Sequence, residues 1–105
     1  MAAALDGSPG FCDVAAKAYD ASKAAVNMLA ASYARVLKGD GGVANAVCPM
    51  LIETKLTAFM GKDLLASRGA ASPELGAKRI VEMATLEEGS TVSGMFSDRD
   101  GAIPW

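Results

Sequence analysis

Tyr19 and Lys23 stand four residues apart in the run Ala18-Tyr19-Asp20-Ala21-Ser22-Lys23-Ala24-Ala25. If that run is helical, both side chains project from one face. An ammonium held beside a phenol favours the phenolate, so such a phenol exchanges a proton below its ordinary value of about 10. Each ten-fold change in that equilibrium needs roughly 1.4 kcal/mol of differential interaction. The chain has no histidine, so proton transfer near neutral pH falls to another group. A tyrosine tuned by a lysine is the best candidate, with Tyr19 as general acid/base.

Composition narrows the remaining chemistry. Ser-His-Asp and Cys-His nucleophile systems are excluded, as are the usual zinc, copper and haem ligand sets. The two cysteines, Cys12 and Cys48, are too few for a disulfide framework. Cys48, inside the apolar run Val43 to Cys48, reads as a small buried hydrophobe. Net charge is −2 with a pI near 5.0, and no basic stripe or aromatic platform is present, so nucleic acid is not an expected partner. The longest uncharged stretch of the first helix, Ala24 to Ala34, is too short to span a bilayer, and residues 1–6 lack the pattern of a signal peptide. A cytoplasmic protein with no membrane contact is expected. At 105 residues and 51% hydrophobic, the chain makes one domain or part of one.

The elements that must position Tyr19 and Lys23 follow from periodicity and turn residues. Residues 1–17, with Gly7, Pro9 and Gly10, read as loop. A helix is expected over 18–38, with one stripe of Val26, Leu29, Tyr33, Val36 and Leu37 and a second of Ala21, Ala24, Ala25, Met28 and Ala31. A helix apolar nearly all round must be covered on more than one side. Gly39, Gly41 and Gly42 stop it. The apolar run 43–48, closed by Pro49, fits a strand buried on both faces. Residues 50–72 read as a substrate-side loop with one or two short helical turns. Ser72-Pro73-Glu74-Leu75 is an N-cap signature for a helix over 73–86. A last strand is expected at 92–96, then a polar turn and the C-terminal tail 97–105, in which Trp105 could be a terminal anchor or an apolar tail residue.

With these pieces in order, the chain resembles the C-terminal half of a short-chain dehydrogenase/reductase. Tyr19-Asp20-Ala21-Ser22-Lys23-Ala24-Ala25 is similar to that family's active-site helix, and Asn45-Ala46-Val47-Cys48-Pro49 to its Asn-x-Val-x-Pro-Gly strand end. Thr54 falls where the family has a threonine near the cofactor. Gly94-Met95-Phe96-Ser97-Asp98-Arg99-Asp100-Gly101, followed by Trp105, is similar to a Gly-x-Phe-x-Asp-x-x-Gly ending. The resemblance runs from about Ala15 to Trp105. It implies an α/β fold, the C-terminal part of a doubly wound, Rossmann-like parallel sheet, lacking the N-terminal nucleotide-binding half. It further implies NAD or NADP as cofactor and hydride exchange with a small-molecule carbonyl or alcohol. Tyr19 and Lys23 would then be catalytic, and Lys23, Pro49 and Thr54 would contact the cofactor.

Departures from the family pattern shape a second reading. No Gly-x-Gly-x-x-Gly is present, because Gly39, Gly41 and Gly42 follow a helix rather than a strand. Ser8, the only serine before Tyr19, sits in a loop-like run and is given no catalytic role. Met50 occupies the place of the family's glycine after Pro49. The chain alone is therefore expected to be inactive. The alternative is a catalytically silent, truncated module that forms a homo-oligomer, or pairs with another chain, through its apolar helix face. Strands apolar on both faces would leave an unpaired edge, and two-strand sheets are marginal in water. Thr54 also suits an N-cap for a turn starting at Lys55, Asn45 reads as structural, Glu87 and Glu88 as a solvated helix end, and Asp98 and Asp100 as turn residues.

Overall fold

A long helix dominates the chain. The computed structural model describes residues 14–104; the expectations for Ser8, Cys12 and Trp105 lie outside them. Helix α1 runs Val14–Leu37, so it starts four residues before the expected Ala18. Residues 14–17, read as loop, belong to it, because Val14-Ala15-Ala16-Lys17 contains no breaker and continues the alanine-rich pattern. It stops as its glycines predict. After a short 3-10 turn at Lys38–Asp40, Gly41 adopts φ 73° and donates its N–H to the Lys38 carbonyl, while Gly42 N–H reaches the Leu37 carbonyl at 3.0 Å. That left-handed step closes the helix end without a Cβ penalty.

The sheet is small and mixed. Strand β1 is Ala46–Val47, β2 is Phe96–Asp98 and β3 is Gly101–Ile103, in the order β1-β2-β3. β1 and β2 are parallel, with Ala46 opposite Phe96, and β2 and β3 are antiparallel. The fold is α/β, a partial Rossmann-like arrangement, but two strand boundaries shift from expectation. Pairing does extend over 44–48: Gly94 N–H meets the Ala44 carbonyl at 2.7 Å, Ala46 N–H the Met95 carbonyl and Cys48 N–H the Ser97 carbonyl. Regular strand is confined to 46–47 because Gly94, at φ 71°, bends the opposing segment away. The same bend moves the last strand from 92–96 to 96–98.

Ser97 and Asp98, expected in a polar turn, are therefore strand residues, and the tail adds a third strand that polarity concealed. Ser97 is completely buried, and its hydroxyl accepts the Nε–H of Arg79 at 3.1 Å. That bond removes the cost of placing a hydroxyl inside. Arg79 also pairs with Glu82 at 3.0 Å. The turn joining β2 to β3 is held by the Asp98 carboxylate, which accepts the N–H groups of Asp100 and Gly101.

Between β1 and the third helix, residues 50–72 form a lobe rather than an open loop. A 3-10 turn at Ala58–Met60 and helix α2, Lys62–Ser67, are pinned at the base by a parallel bridge between Ile52 and Ala71. Leu65 is 2% exposed beneath them. Helix α3, Pro73–Ala84, starts at the anticipated cap, where Ser72 Oγ accepts the Leu75 N–H at 3.3 Å. It ends two residues earlier than the expected Leu86.

The expected enclosure of α1 is not found. Val26, Leu29, Tyr33 and Val36 are each at least half exposed, and Met28 also points outward. The three-stranded sheet is too narrow to cover a helix of this length, about 36 Å. Among the described residues, the buried apolar core consists only of Ala46, Leu65 and Ala71. The radius of gyration is 15.5 Å, against about 13 Å for a compact domain of this size.

Helix α3 approaches the lobe through Gly76. A Cβ built there would lie 2.5 Å from Ile52 Cδ1 and 2.9 Å from Cγ1. Alanine in a helix gains about 1 kcal/mol over glycine, whereas overpacking costs about 1–3 kcal/mol. Gly76→Ala is expected to lower stability by about 1 kcal/mol in urea denaturation; a gain would mean that Ile52 rotates aside freely.

Candidate active site

The helix places Tyr19 and Lys23 together. Lys23 Nζ lies 5.6 Å from the centroid of the Tyr19 ring, over its face. A cation so placed is attracted to the ring by about 0.5–1 kcal/mol when exposed. Both side chains are exposed, Tyr19 at 56%. Between them Ser22 donates its hydroxyl to the Tyr19 carbonyl at 2.7 Å. That bond turns Ser22 back onto the helix, as short hydroxyl side chains do.

Pro49 and Thr54 lie in the segment leaving β1. Pro49 is half-buried and Thr54 is exposed. Thr54 does not cap a turn with its own side chain. Instead Thr57 Oγ1 accepts the Thr54 N–H at 2.9 Å and donates to the Ile52 carbonyl at 2.7 Å. Thr57 was not singled out by sequence, although a Thr-x-x-Thr run is a fitting signal for a turn closed by a hydroxyl. No hydrogen bond or ion pair among the described residues joins the Tyr19–Lys23 pair to Pro49 or Thr54.

The segments that carry the two groups share one base. The last turn of α1 meets the amino ends of the strands: Ala34 lies 3.5 Å from a Cβ built at Gly94, and Leu37 lies 3.0 Å from one built at Gly42. From that base α1 climbs about 22 Å back to Tyr19, at about 1.5 Å per residue. From Ala44 the ladder-paired segment advances about 13 Å to Cys48, at about 3.3 Å per residue. In open α/β sheets ligands bind outside the carboxyl ends of the strands, the end at which Pro49 follows β1.

Met50 carries the one backbone irregularity of this region, with φ 65°. The left-handed conformation costs a side-chain-bearing residue about 1–2 kcal/mol. Sequence revealed the methionine but not this conformation. Met50 thus holds a backbone conformation that glycine adopts without a steric penalty.

Asn45 has the structural role expected of it. Its Nδ2 donates to the Val92 carbonyl at 2.9 Å and its Oδ1 accepts the Met95 N–H at 3.1 Å. A neighbouring bond runs from Ala44 N–H to Ser93 Oγ. Cys48 is a half-buried free thiol. A hollow of about 370 Å³, lined by Val43, Asn45, Val47, Ile80, Met83 and Ala84, adjoins the outer side of β1, where no strand pairs among the described residues. No cluster of potential metal ligands occurs among the described residues, and no helix there is long and apolar enough to cross a membrane.

The residues present fit only part of a nicotinamide dinucleotide. An amine and a phenol on one helix face suit a ribose and a reacting carbonyl. Among the described residues no glycine turn leads from a strand into a helix N-terminus, the usual pyrophosphate cradle. Asn45→Ala removes two hydrogen bonds from the β1–β2 contact and is expected to cost about 1–2 kcal/mol. Amide exchange should accelerate at Met95 first; unchanged exchange there would refute the clasp.

None of the curated proteins compared with the chain matches it. A family model described as Enoyl-(Acyl carrier protein) reductase matches residues 5–103. The match covers nearly the whole chain, including the Tyr19–Lys23 helix, β1 and the closing hairpin. The chain belongs to the enoyl-(acyl carrier protein) reductase group of the short-chain dehydrogenase/reductase family.

Proposed function

We propose that this chain carries the proton-transfer end of an NAD(P)-dependent oxidoreductase acting on a small carbonyl or alcohol. The observation that carries this reading is the Lys23 ammonium 5.6 Å from the Tyr19 ring centroid on one exposed helix face. When bound, NAD(P) supplies the hydride. Tyr19 Oη donates a proton to the substrate carbonyl oxygen, or accepts one from an alcohol in the reverse direction. Lys23, with three N–H donors, holds the ribose hydroxyls and keeps positive charge beside the phenol. Pro49 and Thr54 line the carboxyl edge of β1 where the nicotinamide end would lie. The pyrophosphate needs a glycine-rich turn that these 105 residues do not contain, so turnover depends on residues from another polypeptide segment.

In a fluorescence titration with NADPH or NADH, Lys23→Ala is expected to weaken binding about ten-fold through the lost charged donors. Tyr19→Phe should leave binding within about two-fold while abolishing any carbonyl-dependent oxidation. Absence of any fluorescence change up to millimolar dinucleotide would overturn the claim that this chain by itself retains a cofactor contact.

A second reading is carried by the exposed stripe Val26, Leu29, Tyr33 and Val36 on α1. Here the chain is catalytically silent and associates through that stripe with a second copy or another chain, since large contiguous apolar patches mark association surfaces. Light scattering on a sizing column should give a mass above the monomer's 10.7 kDa; a well-folded monomer would contradict it. A cytoplasmic location accords with both readings.

A further inference from the structure

Met50 is the only non-glycine with a positive φ among the described residues; Gly41, Gly61, Gly69, Gly89, Gly94 and Gly101 account for the others. Its conformation is imposed from both sides. Before it, Cys48 N–H is bonded to the Ser97 carbonyl at 2.8 Å. After it, the Leu51 carbonyl accepts the Ala71 N–H at 2.9 Å and Glu53 N–H reaches the Ala71 carbonyl at 2.9 Å. Those two pairings fix where the chain must leave the sheet and where it must rejoin the lobe. A left-handed residue is what connects them, and strain of this kind persists only where the surroundings over-determine it.

The side chain has not been absorbed into the interior, because Met50 is 42% exposed. It stands just beyond the carboxyl end of β1, on the edge where an open α/β sheet receives its ligand. A glycine with this backbone would present only hydrogen to a ligand there. Methionine presents a flexible four-atom chain ending in a thioether.

We infer that Met50 is an occluding residue, whose side chain occupies ligand space at the carboxyl end of β1 and weakens dinucleotide binding on the side served by Tyr19 and Lys23. This rests on the dinucleotide reading given above. Backbone and side chain act separately: the left-handed backbone keeps the site's path, and the thioether chain fills its mouth. Alanine at position 50 removes the obstruction but retains the Cβ that opposes a positive φ. Glycine removes both.

The test compares the full chain with Met50→Ala and Met50→Gly by NADH and NADPH fluorescence titration and by thermal denaturation followed by circular dichroism. Both variants are expected to bind about ten-fold more tightly than the parent, while only Met50→Gly raises Tm, by about 4 °C. Equal affinities for all three proteins would overturn the occlusion and leave the dinucleotide reading standing. Binding by none of them would overturn both. Tighter binding by Met50→Gly alone would assign the effect to backbone freedom and overturn the side-chain role. A Tm for Met50→Gly no higher than the parent's would remove the left-handed premise and overturn it as well.

Discussion

The parallel contact between β1 and β2 is the constraint on which the other placements rest. Five backbone residues, 44–48, meet 94–97 through ladder bonds, and Asn45 locks the two segments with both ends of its carboxamide. That register sets the level at which Pro49 and Met50 leave the sheet. It also brings Ser97 under Arg79, so that α3 is tied to β2 by a buried, satisfied hydroxyl. Helix α1 depends on the same base, since Ala34 and Leu37 pack where Gly94 and Gly42 approach without side chains. A slip of one residue would turn Ala46 outward and Asn45 inward, leaving a carboxamide with no partner.

The long helix, its glycine stop, the capped third helix and the α/β class were all readable from the sequence, because each has a local cause. Ser72 and Pro73 announce a helix start whatever surrounds them. The strands were less legible. Their ends are set by Gly94, whose left-handed turn is a tertiary requirement, and by Ser97, whose polarity argues for a turn until Arg79 is placed above it. At the candidate site, the four-residue spacing was enough to bring Tyr19 and Lys23 together, since helix geometry alone does so. The work of Thr57 and the conformation of Met50 depend on partners distant from any simple motif.

The exposure of α1 follows from an imbalance between a helix of 24 residues and strands of two or three. Sheet width, rather than helix composition, decides how much of an apolar stripe can be covered. Here the described sheet reaches only the last turns of the helix, and the face carrying Tyr33 and Val36 stays in water. Tyr19 and Lys23 lie toward the far end of the same helix, which explains why their side chains are well exposed and joined to each other rather than to the lobe.

The closing hairpin ends the sheet on a very short strand. Its third strand is three residues long, begins at a glycine and is followed at once by Pro104, which offers no N–H for further pairing. The opposite margin, along Val43, Asn45 and Val47, meets no further strand among the described residues. Both borders are only two or three residues long, so neither offers the long flat edge on which fibril stacking builds.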